Sequence, residues 1–165
     1  GWISYIAGHD QSFTQSLVAS VNTTEQHIIT IKNGSTFGGT TNNAIVQPIN
    51  LASLTTTNNS FGIIYTVYKN ATVTGTSYQN QDAQNSAVQY TTAGTYSIGT
   101  GTQVFSLHST SNSGDVPEFS QYLSNIYVSP GDTLTITGKT LFGQTDSLFL
   151  ALGWKEAQLL KCYGN

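Results

Sequence analysis

Arginine and methionine are missing from this chain, and cysteine occurs once, as Cys162. Charge of either sign is scarce. Five Lys, five Asp and three Glu make up 8% of 165 residues, against roughly 25% in an ordinary soluble domain. Each absence excludes something. Binding to nucleic acid requires clustered cations to neutralise phosphates. Here Lys32, Lys69, Lys139, Lys155 and Lys161 are scattered, and no guanidinium fork exists. A basic amphipathic membrane helix fails for the same reason. No apolar run approaches the roughly 18 residues of a helical span, so membrane insertion is not expected. One cysteine cannot close an intrachain disulfide or build a thiolate metal cage. Cys162 therefore reads as a small hydrophobe near the end of the chain, or as half of an interchain bridge.

What is present is neutral and polar. Thr, Ser, Asn and Gln together account for 68 of the 165 residues. The apolar share is 38%, with nine Tyr, seven Phe and two Trp. That suffices for a core, and with a net charge of only −3 the composition is not that of a disordered chain. Gly1 rather than Met opens the chain, as after removal of a leader or after trimming; the sequence does not distinguish the two.

Apolar residues recur with period two. Thr133 to Thr137 reads Thr-Leu-Thr-Ile-Thr, His27 to Ile31 reads His-Ile-Ile-Thr-Ile, and Ile63, Ile64, Tyr65, Val67 and Tyr68 are β-branched or aromatic. Such runs suit half-buried strands. They predict strands over 2–6, 13–21, 26–32, 44–49, 62–69, 71–78, 87–91, 94–99, 103–108, 126–128, 133–140 and 147–154. Asn33-Gly34 predicts a tight hairpin, and Pro130-Gly131 a type II turn. The Thr/Asn-rich stretches 35–43, 55–60, 79–86 and 109–116 read as crossover loops. One short helix is expected at 115–123, capped by Asp115, with Phe119, Tyr122 and Leu123 as its apolar stripe. The tail from 155 to 163 reads as a helical turn or as a continued strand. A dozen short strands without a repeat or a composition break predict an all-β fold: a single antiparallel β-sandwich domain over 1–165, with residues 1–7 as an exchangeable N-terminal strand.

The segment from Ser124 to Ile136 (Ser-Asn-Ile-Tyr-Val-Ser-Pro-Gly-Asp-Thr-Leu-Thr-Ile) resembles the late-strand segment of jelly-roll modules, in which a Gly-Asp turn leads into an alternating strand. These modules include tumour-necrosis-factor/C1q-like domains and phage or viral surface proteins. The segment from Ser147 to Glu156 resembles their closing strand. The Arg-free, Thr/Asn/Ser-rich composition is similar to that of secreted filament subunits and virion proteins, including those of thermoacidophilic archaea. The resemblance implies a jelly-roll-like sandwich and a place on a virion surface or in a filament.

Catalytic material is sparse. His9-Asp10, His27 and His108 stand in no metal-ligand spacing. No Gly-x-Ser-x-Gly elbow precedes any of the 18 serines. Asp115 with Glu118, and Asp132 with Asp146, are the carboxylate pairs that a fold would have to bring together for glycoside hydrolysis; turn capping explains both. Gly99-Thr100-Gly101 lacks the helix and lysine of a phosphate loop. No enzyme activity, metal or cofactor is expected. Four sequons place candidate N-glycosylation at Asn22, Asn33, Asn58 and Asn70. Thirteen Asn would give about three sequons by chance, so their number carries no weight.

A surface poor in charge repels its copies weakly. Thr-rich strand edges without Lys or Pro invite pairing. The expectation is therefore a non-enzymatic structural subunit of an extracellular assembly: a virion surface protein or a filament subunit, held to copies of itself by strand and apolar contacts. The apolar arm with Trp2, Ile3, Tyr5 and Ile6 is the candidate joint, by strand addition. The alternative is a carbohydrate- or receptor-binding module, with Tyr65, Tyr68, Tyr78, Tyr90 and Tyr96 as its aromatic surface.

Overall fold

The computed structural model of the chain describes residues 10–55, 62–109 and 125–158. The two-residue alternation read from the sequence is realised as two stacked antiparallel sheets. β1 (Asp10–Val21), β5 (Ala44–Thr55) and β13 (Asp146–Gln158) form the first, in the order β1-β13-β5. The second has six strands: β2 (Gln26–Asn33), β6 (Ile63–Lys69), β8 (Gln79–Asn80), β9 (Val88–Thr91), β11 (Thr102–Ser109) and β12 (Thr133–Thr140). Their order is β11-β6-β12-β2-β9-β8. The result is all-β and sandwich-like, with no helix among the described residues.

Side chains alternate across each strand, and the inward set makes the core. Leu148, Leu150, Leu152 and Trp154 of β13 face Ile29 and Ile31 of β2, Ile63, Tyr65 and Val67 of β6, and Leu134 and Ile136 of β12, in one cluster. Burying each such side chain contributes about 1.5–3 kcal/mol. A bulge in β2 adds to it. Ile136 pairs with Ile29 and Thr137 with His27, so Ile28 is the extra residue. Ile28 and Ile29 are both buried. Gly138 leaves room for Ile28, whose Cδ1 lies 2.8 Å from where a Cβ on Gly138 would stand.

Several expectations meet a different outcome. Asn33-Gly34 is not a hairpin turn: Asn33 is the last, buried residue of β2. The hairpin lies within the stretch expected to be a crossover loop. There β3 (Thr36–Phe37) and β4 (Thr40–Thr41) pair around Gly38 and Gly39, whose φ values of 60° and 79° are those of a type I′ turn. The strands expected over 71–78 and 94–99 shrink to β7 (Val73–Thr74) and β10 (Thr95–Tyr96). Gly75, Gly94 and Gly99, all at positive φ, break the extended backbone around them. β10 lies against the outer face of β2. Residues 126–128 make one bridge, Val46 to Val128, rather than a strand. β13 runs on to Gln158, so residues 155–158 continue the strand. The Pro130-Gly131 turn is as expected: Gly131 has φ 90°, and Asp132 N–H donates to the Ser129 carbonyl (2.9 Å). The strand at 2–6 and the helix at 115–123 lie outside the described residues.

Candidate functional site

The arm residues Trp2, Ile3, Tyr5 and Ile6, the sequon Asn58, and His9, Asp115, Glu118 and Cys162 also lie outside the described residues. The other sequons differ sharply. Asn33 is 1% exposed. Its Nδ2 donates to the carbonyls of Ala44 (2.7 Å) and Val128 (2.9 Å), and its Oδ1 accepts from Asn42 Nδ2 (2.7 Å). A glycan on Nδ2 would remove one donor and have no space, so this fold and a sugar at Asn33 exclude one another. Asn70 is exposed and ties the Pro130-Gly131 turn: it donates to Asp132 Oδ1 (3.2 Å) and accepts from Thr133 N–H (2.9 Å). Asn22 is half-buried and caps Thr24 N–H (2.9 Å).

The titratable groups among the described residues do not converge. Asp132 precedes β12 and Asp146 follows it, so the eight residues of that strand hold them about 26 Å apart. Asp132 instead faces Lys69 at 3.6 Å. On the outer face of the six-stranded sheet, His27 Nε2 meets Thr30 Oγ1 (2.8 Å), and Thr30 meets Thr135 (2.8 Å). That geometry resembles a base beside a hydroxyl nucleophile, but Thr30 is 1% exposed and no substrate reaches it. Burial lowers the His27 pKa to about 4, so the ring is neutral near pH 7. Its Nδ1 is buried without a partner among the described residues. Beside it, Glu25 accepts from Tyr68 (2.7 Å) and Thr137 (2.7 Å). Burial first, and this bond second, raise the Tyr68 phenol. These groups tie the Glu25 corner to the sheet. No group of three or more His, Cys, Asp or Glu suited to a metal occurs among the described residues.

The tyrosines are dispersed. Tyr65 is in the core, bonded to Ser53 (2.5 Å). Tyr96 is buried and stacks on Tyr68 at 4.9 Å. Tyr78 lies under Lys32, 5.5 Å from Nζ to the ring centre, and Tyr90 donates to Gln79 (3.1 Å). These five form no row on one exposed face. A polar cleft of about 280 Å³ does open between the β3–β4 hairpin and the loop after β8, lined by Lys32, Ser35, Phe37, Asn80, Ser86 and Gln89 among others. Glu156 holds two of its lining residues, accepting from Ser86 Oγ (2.5 Å) and Ala87 N–H (2.8 Å), and also accepts from Trp154 Nε1 (3.2 Å).

The sheet edges differ most in what protects them. Edge strands are blunted by brevity, Pro, Lys or bulges. β8 has two residues. β11 carries a bulge at Val104. β5 carries Pro48, a bulge at Ile49 and the bridge from Val128. β1 has none of these. It runs for 12 residues in unbroken register with β13, and no charged residue occurs between Asp10 and Glu25. Its inward residues Phe13, Leu17 and Ala19 pack on the core, while Ser12, Thr14, Ser16, Val18 and Ser20 are exposed. Val18, 72% exposed, pairs with Phe149, 40% exposed, on the outer face. Phe142 is 76% exposed at the turn after β12. With φ 64°, followed by Gly143 at 80°, it holds a left-handed conformation that a bulky residue rarely adopts. The charge-free run was visible in the sequence; that it forms an edge, and that Phe142 tops a strained turn, depends on topology. No family model matches the chain, and no curated protein matches it.

Proposed function

We propose that the chain is a non-enzymatic structural subunit of an extracellular assembly, a virion surface protein or a filament subunit, held to copies of itself by strand pairing and apolar contacts. The observation that carries this is β1: a long, regular edge without charge after Asp10, in a protein whose other described edges are blunted by brevity, Pro or a bulge. A monomer with such an edge is a template for pairing; a subunit uses it. The scarcity of charge and the resemblance to virion and filament proteins support the same reading. The arm with Trp2, Ile3, Tyr5 and Ile6 is a second candidate joint. Electron microscopy and light scattering on the full chain test the proposal. Regular oligomers, filaments or shells are expected. A single monomer at every concentration overturns it.

The polar cleft beside Lys32 favours a second reading, a carbohydrate- or receptor-binding module, because amides, hydroxyls and an aromatic ring face one opening. Saturable glycan binding that is lost on Gln89→Ala, by a protein that stays monomeric, would support this second reading over the first.

A further inference from the structure

We propose that two copies of the chain join β1 to β1, antiparallel about a two-fold axis at Ser16, so that two three-stranded sheets become one six-stranded sheet, and that Gln81 guards this edge in the separate subunit. The inference rests on the structural-subunit reading and specifies its joint.

The direction of the backbone comes first. Gln81 Nε2 donates to the Thr14 carbonyl at 3.3 Å from outside the sheet, so Thr14 points its backbone groups away from β13. Backbone direction alternates along a strand. Ser12, Ser16, Val18 and Ser20 therefore point outward with Thr14, while Phe13, Gln15, Leu17 and Ala19 bond to β13. The outward set is the hydrogen-bonding face offered to a second copy.

That set is self-complementary. It reads Ser, Thr, Ser, Val, Ser from residue 12 to residue 20. In an antiparallel pair centred on Ser16, Ser12 faces Ser20 of the second copy, Thr14 faces Val18, and Ser16 faces itself. Thr and Val have the same shape, so the strand presents nearly one profile in both directions, as an isologous contact requires. Like charges opposite each other oppose pairing, and none meet here: Asp10 faces Asn22 of the second copy. The 12 unbroken residues provide a straight ladder, which the bulged edges of β5 and β11 do not.

Gln81 is a guard that yields. Its bond to Thr14 is long, and its Oε1 is buried without a partner among the described residues. In the paired state the Val18 N–H of the second copy takes the Thr14 carbonyl in ladder geometry, and the displaced Gln81 amide returns to water, where both its ends are satisfied.

Sedimentation of the full chain and of three variants tests this, with circular dichroism as the check on folding. Ser16→Pro removes an outward N–H without touching the β13 ladder, a place where an edge strand tolerates Pro. It deletes two bonds at the axis, one from each copy, so association is expected to weaken at least about tenfold. Ser16→Lys places like charges directly opposite each other at the axis without altering the backbone and weakens association likewise; it carries the test should Ser16→Pro fail to fold. Gln81→Ala removes the guard and is expected to strengthen association. Folded Ser16→Pro or Ser16→Lys proteins that associate as the parent does overturn the β1 joint while leaving the subunit reading intact. A parent chain that is monomeric at all concentrations overturns both.

Discussion

Replacing Asn33 by Ala should cost the protein a large part of its stability. Asn33 sits where three segments meet: the end of β2, the start of β5 at Ala44, and the bridge residue Val128. Truncation removes two donated bonds, at 2.7 and 2.9 Å, and one accepted bond, at 2.7 Å. It leaves the buried Ala44 carbonyl and half of the Asn42 amide without partners; the Val128 carbonyl keeps the Val46 N–H (3.0 Å), and Asn42 keeps its bond to the Gly34 carbonyl (2.6 Å). Each lost bond is worth about 1 kcal/mol, and a stranded buried group costs about 1–3 kcal/mol. One lost bond and two stranded groups together cost at least about 3 kcal/mol, a sizeable share of the roughly 5–15 kcal/mol that holds a typical domain. At about 2–4 °C per kcal/mol for a chain of this size, the melting temperature falls by at least about 6 °C. Asn33→Asp sharpens the test. A carboxylate cannot donate, so it faces two carbonyls with charge, and its loss should exceed that of Ala. Urea unfolding followed by circular dichroism reads both. Losses below about 1 kcal/mol for the pair would refute the bonding scheme and, with it, the exclusion of a glycan at Asn33.

Three further outcomes follow from single groups. His27 has a folded pKa of about 4, below the unfolded value near 6.5, so the unfolded chain binds the extra proton in that window. Stability should be full above pH 6.5 and fall as the pH drops towards 4; His27→Gln should flatten that slope, and an unchanged slope contradicts the assignment. Glu156→Ala strands the donors of Ser86, Ala87 and Trp154 and should cost about 3 kcal/mol, read by the same unfolding curves; a neutral effect would show that the loop does not depend on the carboxylate. Phe142→Asn places a residue suited to positive φ at the turn after β12 and should stabilise by about 0.5–1 kcal/mol; a lower melting temperature would mean that the ring contributes more than the strain costs.

The strands were legible from their β-branched and aromatic runs: β1 and β13 alternate in burial, while β2, β6 and β12 are buried on both faces for much of their length. What escaped was anything set by partners distant in sequence. Asn33-Gly34 has the local chemistry of a hairpin, but Ala44 and Val128 supply acceptors for the Asn33 amide, and burial overrides the turn preference. Gly38-Gly39 forms the hairpin because two glycines meet the positive φ at least cost. The stretches at 71–78 and 94–99 have β-branched and aromatic residues, yet their glycines interrupt the ladder after two residues on each side. Asp132 and Asp146 are near in sequence, but a whole strand separates them. The unguarded composition of β1 could be read directly; its place at an edge is a property of the strand order.

The central claim is that β1 is where copies meet, and amide hydrogen exchange measures it residue by residue. The N–H groups of Ser16, Val18 and Ser20 point away from β13, so in a lone subunit they exchange quickly. The account predicts that they become protected as protein concentration rises and lose that protection on dilution, while those of Gln15, Leu17 and Ala19 stay protected throughout. Fast exchange at Ser16, Val18 and Ser20 in a sample shown to be assembled would contradict it.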